Sequence, residues 1–168
     1  MSALWSYFWP LFAAGLLIGG SAGTIAFRRR SRRNMALGAG LLLTLAATAL
    51  WHGPFGAADR FSSIVERQAR ATLNYYEMAR VSGTLHHGPL TRRLILSGAQ
   101  SLDDWQRGEL VRLFSQLPGV SEAQLSESPA GTPLIIEGAA VGVLGFLLGL
   151  LLAYLVDLRR RYNAQWNW

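Results

Sequence analysis

The sequence predicts a membrane protein with three transmembrane α-helices and one small α+β domain outside the membrane. Long apolar runs occupy residues 4–27, 35–51 and 134–158, and runs of this length reach across a hydrocarbon core of about 30 Å. Arginine clusters stand at the ends of these runs. Between the second and third runs the pattern changes to short amphipathic elements, as expected of a folded domain.

The first run has 24 residues without a charge, and as a helix it is about 36 Å long. A secretory signal peptide is the competing interpretation, but the basic residues follow the run instead of preceding it, which favours a retained helix. The second run has 17 residues, which is close to the minimum for a span. A buried hairpin that does not cross the membrane is therefore kept as an alternative for this run.

The arginines predict the orientation, because basic residues accumulate in cytoplasmic loops and contact lipid headgroups there. With three spans, both clusters lie in the cytoplasm and the domain lies in the periplasm. The segment from His52 to Pro133 carries eight Arg and eight Asp or Glu, so the net charge of +6 comes from the helix flanks. This location argues against a nucleic-acid surface. The clusters are Arg28, Arg29, Arg30, Arg32 and Arg33, then Arg159, Arg160 and Arg161.

Glycines recur on one face of the first and the third apolar run. Small residues at this spacing let helix backbones approach closely in lipid. They predict helix docking, either within the chain or with another subunit. The glycines are Gly15, Gly19 and Gly23 in the first run, and Gly138, Gly142, Gly145 and Gly149 in the third.

The segment between the second and third runs predicts the order helix, strand, strand, helix, strand. Asp59 is the expected cap of the first helix, and Ser101 with Asp104 forms the expected capping box of the second. The predicted strands are residues 78–85, 90–97 and 120–125, with a turn at 86–89. The resulting division of the chain is 1–34 (first helix and arginine loop), 35–52 (second helix), 53–126 (domain), 127–133 (linker), 134–158 (third helix) and 159–168 (tail).

Three short motifs in this domain resemble a BON domain, in the variant associated with OmpA-type envelope proteins of alphaproteobacteria. They are Leu94-Ile95-Leu96-Ser97-Gly98, the capped helix with Glu109-Leu110-Val111, and Leu117-Pro118-Gly119-Val120. The resemblance covers residues 59–125. It implies a non-catalytic domain that binds phospholipid surfaces or partner proteins, and it gives Gly98 and Gly119 backbone roles in turns. This chain has a membrane helix where those relatives carry a peptidoglycan-binding domain, so cell-wall anchoring is not implied.

The sequence contains few residue patterns typical of catalytic, cofactor or metal sites. It has no cysteine and three histidines, and it lacks the spacings of phosphate loops, nucleophile elbows and metal sites. We therefore expect neither an enzyme nor a cofactor or metal site. His52, at the outer end of the second run, is either an interfacial side chain or a pigment or metal ligand. Glu137 is expected to be an interfacial carboxylate near a helix N-terminus.

Two functional hypotheses follow from these expectations. The first is a non-catalytic accessory subunit of a larger bacterial inner-membrane complex, docked through the glycine faces. The second is a free-standing envelope adaptor, either alone or as a homo-oligomer in the membrane, whose BON-like domain binds phospholipid or a periplasmic protein. A transport or signalling component that moves between two states is a weaker third hypothesis.

Overall fold

The computed structural model describes residues 3–125 and 131–165. The chain divides into two compact units. An α/β unit contains the described residues of Met1–Tyr7 and Gly56–Glu137, and a helical unit contains Phe8–Phe55 and the described residues of Gly138–Trp168. The linker expected at 127–133 and the end of the predicted tail lie partly outside the described residues.

Three long helices supply the helical unit: α1 (Ala3–Arg28), α2 (Arg33–His52) and α5 (Leu134–Gln165). Each is long and apolar enough to cross a membrane. The protein is thus a membrane protein with transmembrane helices, as the sequence predicts. The helix α5 continues past residue 158 to Gln165, and Arg161 donates to Asp157 one turn earlier, at 2.8 Å. Such i,i+4 pairs stabilise an exposed helical turn.

The α/β unit contains α3 (Ala57–Tyr75), β1 (Ser82–His87), β2 (Leu90–Ser97), α4 (Asp104–Ser115) and β3 (Glu122–Gln124). This is the predicted order. The sheet order is β1-β2-β3. The hairpin strands β1 and β2 are antiparallel, and β3 is parallel to β2 because α4 carries the chain back across the sheet.

The core of the α/β unit lies between one face of the sheet and the two helices α3 and α4. The residues that helix α3 buries recur at helical spacing and include Phe61, Val65, Ala69 and Leu73. On the central strand Leu94 and Leu96 are buried, whereas Arg93 and Ile95, which alternate with them, are half-buried. The residues of α1 that belong to this unit join the core, since the ring of Tyr7 meets that of Phe61 edge-on at 5.8 Å.

Several predicted element ends are wrong. Helix α3 begins at Ala57 behind Gly56, which is in the left-handed conformation, so Asp59 lies inside the helix and does not cap it. Strand β1 begins at Ser82, because the backbone turns before it with Val81 N–H bonded to the Met78 carbonyl at 3.0 Å.

The cap of α4 is also displaced from its predicted position. Asp103 accepts from the backbone N–H of Gln106 at 2.7 Å, and the Gln106 side chain accepts from the Asp103 backbone N–H at 3.2 Å. Ser101, the predicted cap, lies in the short 3₁₀ turn Ala99–Ser101. The turn glycines Gly98 and Gly119 have φ of +88° and +105°, a region that favours glycine.

Candidate functional site

The predicted docking glycines of α1 and α5 contact each other's helix within the chain. A Cβ built on Gly15 would overlap the carbonyl oxygen of Gly142, and one on Gly19 would overlap the carbonyl oxygen of Phe146. From the other side, a Cβ on Gly145 or Gly149 would overlap a backbone carbonyl of α1. These overlaps place the two backbones in direct contact, which is the approach that small residues permit in lipid.

Gly23 fits the same interface. A Cβ on Gly23 would lie 2.7 Å from the Ala153 Cβ, and Gly138 is buried. The sequence left open whether these faces serve the chain itself or another subunit. The contacts of Gly15, Gly19, Gly145 and Gly149 are intramolecular, so they assemble the three-helix anchor.

Helix α2 packs against this bundle with a face of polar and small residues. A Cβ on Gly142 would meet the Thr48 hydroxyl at 3.2 Å. Thr44 and Thr48 are buried and donate to carbonyls one turn earlier in α2, at 3.0 and 3.1 Å. Their hydroxyls are thereby satisfied inside the apolar unit, where an unpaired polar group would be costly. The outer faces of α2 and α5 expose mostly leucines.

The first arginine cluster forms the turn between α1 and α2. Arg28 ends α1, Arg32 closes the short 3₁₀ turn, and Arg33 begins α2. The Arg30 side chain lies outside the described residues. Arg28, Arg29 and Arg32 line an open pocket of about 410 Å³ together with Thr24 and Ile25.

The second arginine cluster lies on the last turns of α5. Arg159, Arg160 and Arg161 are exposed there, and Arg161 is paired with Asp157. Unlike the first cluster, this one follows a continuous helix, so its side chains fan around the helix axis.

Glu137 has a specific partner that the sequence did not indicate. It lies in the first turn of α5, as expected, and its Oε2 accepts from Arg92 Nη1 at 3.0 Å. Arg92 also donates through Nε to the carbonyl of Gly119 at 3.2 Å. The Arg92 side chain is 23% exposed and joins β2 to α5 and to the turn before β3.

The histidines do not assemble into a metal site in the described residues, where no group of three or more His, Cys, Asp or Glu side chains has suitable spacing. His52 is the last residue of α2. His87 Nε2 lies 3.1 Å from Glu66 Oε1, which also accepts from the Leu85 backbone N–H at 3.0 Å. Glu66 thus accepts a hydrogen bond from a backbone N–H on the open edge of β1. Satisfying such N–H groups protects an edge strand from pairing with other chains.

The C-terminal halves of α3 and α4 form an open groove of about 480 Å³, which we call the tyrosine groove. Tyr75 is 81% exposed and Tyr76 is 48% exposed, and their rings meet edge-on at 5.2 Å. Helix α3 ends at Tyr75, and Tyr76 follows it as the C-cap residue. The groove is lined by Ala71, Thr72, Tyr75, Tyr76, Leu113, Gln116 and Leu117.

No family model matches the chain, and neither a curated protein nor a solved structure matches it. The resemblance of residues 59–125 to a BON domain therefore stays a prediction.

Proposed function

We propose that the protein is a non-catalytic accessory subunit of a larger bacterial inner-membrane complex. In this role the three-helix bundle anchors the chain in the bilayer, with both arginine clusters on the cytoplasmic side. The α/β domain lies in the periplasm and presents the tyrosine groove to a partner subunit. The predicted likeness to BON domains supports the same kind of role, since the resemblance implies binding without catalysis.

The observation that carries this proposal is the exposure of Tyr75 and Tyr76 beside the half-buried Leu113 and Leu117. Tyrosine combines a large apolar ring with a polar tip, and it is enriched at protein interfaces for that reason. Exposed apolar surface that is concentrated in one groove is typical of a binding site. A partner segment with an aromatic or aliphatic anchor would bury both rings and displace water from the groove.

The first sequence hypothesis used the glycine faces to dock the chain onto a larger complex. In this proposal the glycines hold the chain's own helices together. Because the glycine faces contact each other within the anchor, a partner in the bilayer would meet the leucine-bearing outer faces of α2 and α5. Apolar side chains are equally compatible with lipid there. The domain surface therefore determines the choice of partner.

Purification of the full chain in mild detergent tests the proposal. We expect other membrane subunits to co-purify in fixed stoichiometry on a native gel, with their identity read by mass spectrometry. The double variant Tyr75→Ala/Tyr76→Ala should lose these subunits. Trp105→Ala is the matched control, because Trp105 is 77% exposed on the first turn of α4 and does not line the groove.

Two results would contradict an accessory subunit. One is a chain that purifies without other proteins, as a homo-oligomer carrying phospholipid, which supports the free-standing adaptor. The other is retention of every co-purifying subunit by the tyrosine double variant, which would mean that the groove does not bind the partner.

A further inference from the structure

A long groove runs between α1 and α2 on the outside of the helical unit. Its volume is about 380 Å³. Its walls include Leu17 and Leu43, which are 71% and 58% exposed. The small residues that line it include Ala22 and Gly40, which are buried and form its floor. The missing side-chain volume on this floor leaves a slot between the two helices that is lined almost wholly by carbon.

The arginine pocket continues this groove at one end. Ile25 lines both the apolar groove and the pocket formed with Thr24, Arg28, Arg29 and Arg32. The Thr24 hydroxyl donates to the Gly20 carbonyl at 2.7 Å, so the hydrogen-bond donors offered to a ligand are guanidinium groups. Within the described residues none of these arginines forms an ion pair.

The dimensions of this combined surface match one lipid molecule in one leaflet. The stretch of α1 from Leu17 to Arg28 is about 17 Å long at about 1.5 Å per residue. Half of a hydrocarbon core of about 30 Å is about 15 Å. An acyl chain lying along the groove would therefore bring its headgroup to the level of the arginines.

We propose that this continuous surface is a binding site for one anionic phospholipid. Its phosphate lies between the guanidinium groups of Arg28, Arg29 and Arg32, and one acyl chain lies in the slot between α1 and α2. Guanidinium groups bind phosphate oxygens through charge-assisted, often bidentate hydrogen bonds. The proposal goes beyond the accessory role, since it requires only that the helices span the bilayer.

Charge complementarity selects lipid over a second protein helix as the occupant. Three unpaired cations at the mouth need a compact anion, which a phosphate at the membrane surface supplies directly. A second copy of this chain would bring its own arginines to the same depth, and like charges would repel. Arg159 and Arg160 are exposed on the last turns of α5 and line neither the groove nor the arginine pocket, so they attract anionic lipid without forming part of this site.

Native mass spectrometry of the full chain in mild detergent tests the site, with dioleoylphosphatidylglycerol and dioleoylphosphatidylcholine as the two probes. We expect one tightly bound phosphatidylglycerol per chain and much weaker binding of phosphatidylcholine. The variant Arg28→Gln/Arg32→Gln should bind phosphatidylglycerol about twenty-five times more weakly, since each arginine near an anionic lipid contributes about fivefold. The charge-matched control Arg159→Gln/Arg160→Gln should bind it nearly as well as the unmodified chain.

A second variant tests the slot without changing any charge. Ala39→Phe fills the groove at an exposed position, and it should weaken phosphatidylglycerol binding while circular dichroism shows unchanged helicity. The proposal is overturned if both lipids bind equally, if the control loses as much affinity as Arg28→Gln/Arg32→Gln, or if Ala39→Phe has no effect. A lipid-free dimer that Ala39→Phe dissociates would overturn it in favour of a second copy.

Discussion

Arg92 Nη1 lies 3.0 Å from Glu137 Oε2 and joins the central strand of the sheet to the first turn of α5. The two side chains are 23% and 26% exposed, so water competes only partly for their charges. The Nε of Arg92 additionally satisfies the carbonyl of Gly119. A single guanidinium thus links three segments of the α/β unit that are far apart in sequence.

We expect Arg92→Ala to destabilise the α/β unit by about 1–3 kcal/mol, because it leaves a half-buried carboxylate and a carbonyl without their donor. Thermal unfolding of the detergent-solubilised protein measures the loss as a lower Tm. Arg112→Ala is the control, since Arg112 pairs with Glu109 at 3.9 Å with both side chains largely exposed, and such pairs contribute little. Equal Tm values for the two variants would contradict a structural role of the Arg92 pair.

The cap of α4 offers a sharp comparison between two residues. Asp103→Ala removes the acceptor of the Gln106 N–H and should cost about 1 kcal/mol. Ser101→Ala, at the cap position that the sequence suggested, should leave the unfolding temperature nearly unchanged. If Ser101→Ala is the more damaging of the two, the capping box at Asp103 is wrong.

Periodicity predicted the elements of this chain better than their ends. The buried positions Phe61, Val65 and Leu73 recur at helical spacing, and this repeat suffices to place α3 and its inner face. The choice between Ser101 and Asp103 as cap depends on which oxygen meets an unpaired N–H, and neighbouring polar residues make the sequence ambiguous there. Element ends therefore depend on single hydrogen bonds.

The sites were less predictable than the elements, because they depend on contacts between distant residues. The bond between Arg92 and Glu137 spans 45 positions, and nothing in the local sequence pairs them. The glycine spacing did predict close helix contact, yet the partner helix becomes known only when α1 and α5 are seen together.

The contact between α1 and α5 predicts opposite outcomes for one chemical change at two glycines. Gly145→Ala places a methyl group against the Phe12 carbonyl and 3.1 Å from the Leu16 nitrogen, so the helices must move apart. We expect a clear loss of thermal stability, by about 1–3 kcal/mol as for other overpacked sites.

Gly38→Ala is the matched control on α2, where the added methyl meets no atom within 4 Å among the described residues. It should be neutral or slightly stabilising, because alanine favours a helix by about 1 kcal/mol over glycine. If the Gly145→Ala protein has the same Tm as the unmodified protein, the two helix backbones are not in contact.

The proposed orientation predicts which single introduced cysteines react with a label from outside the cell. The sequence has no cysteine, so each introduced one is the only reactive thiol. Ser31→Cys and Asn163→Cys lie at exposed positions beside the two arginine clusters, and Ser97→Cys lies at an exposed position of the domain. Three crossings put the first two on one side and the third on the other, because arginine-rich flanks are retained in the cytoplasm. In intact spheroplasts a membrane-impermeant maleimide should therefore label Ser97→Cys, and should label the other two only after permeabilisation. If Ser31→Cys and Ser97→Cys react alike, the number of crossings between them is even, and α2 does not span the membrane.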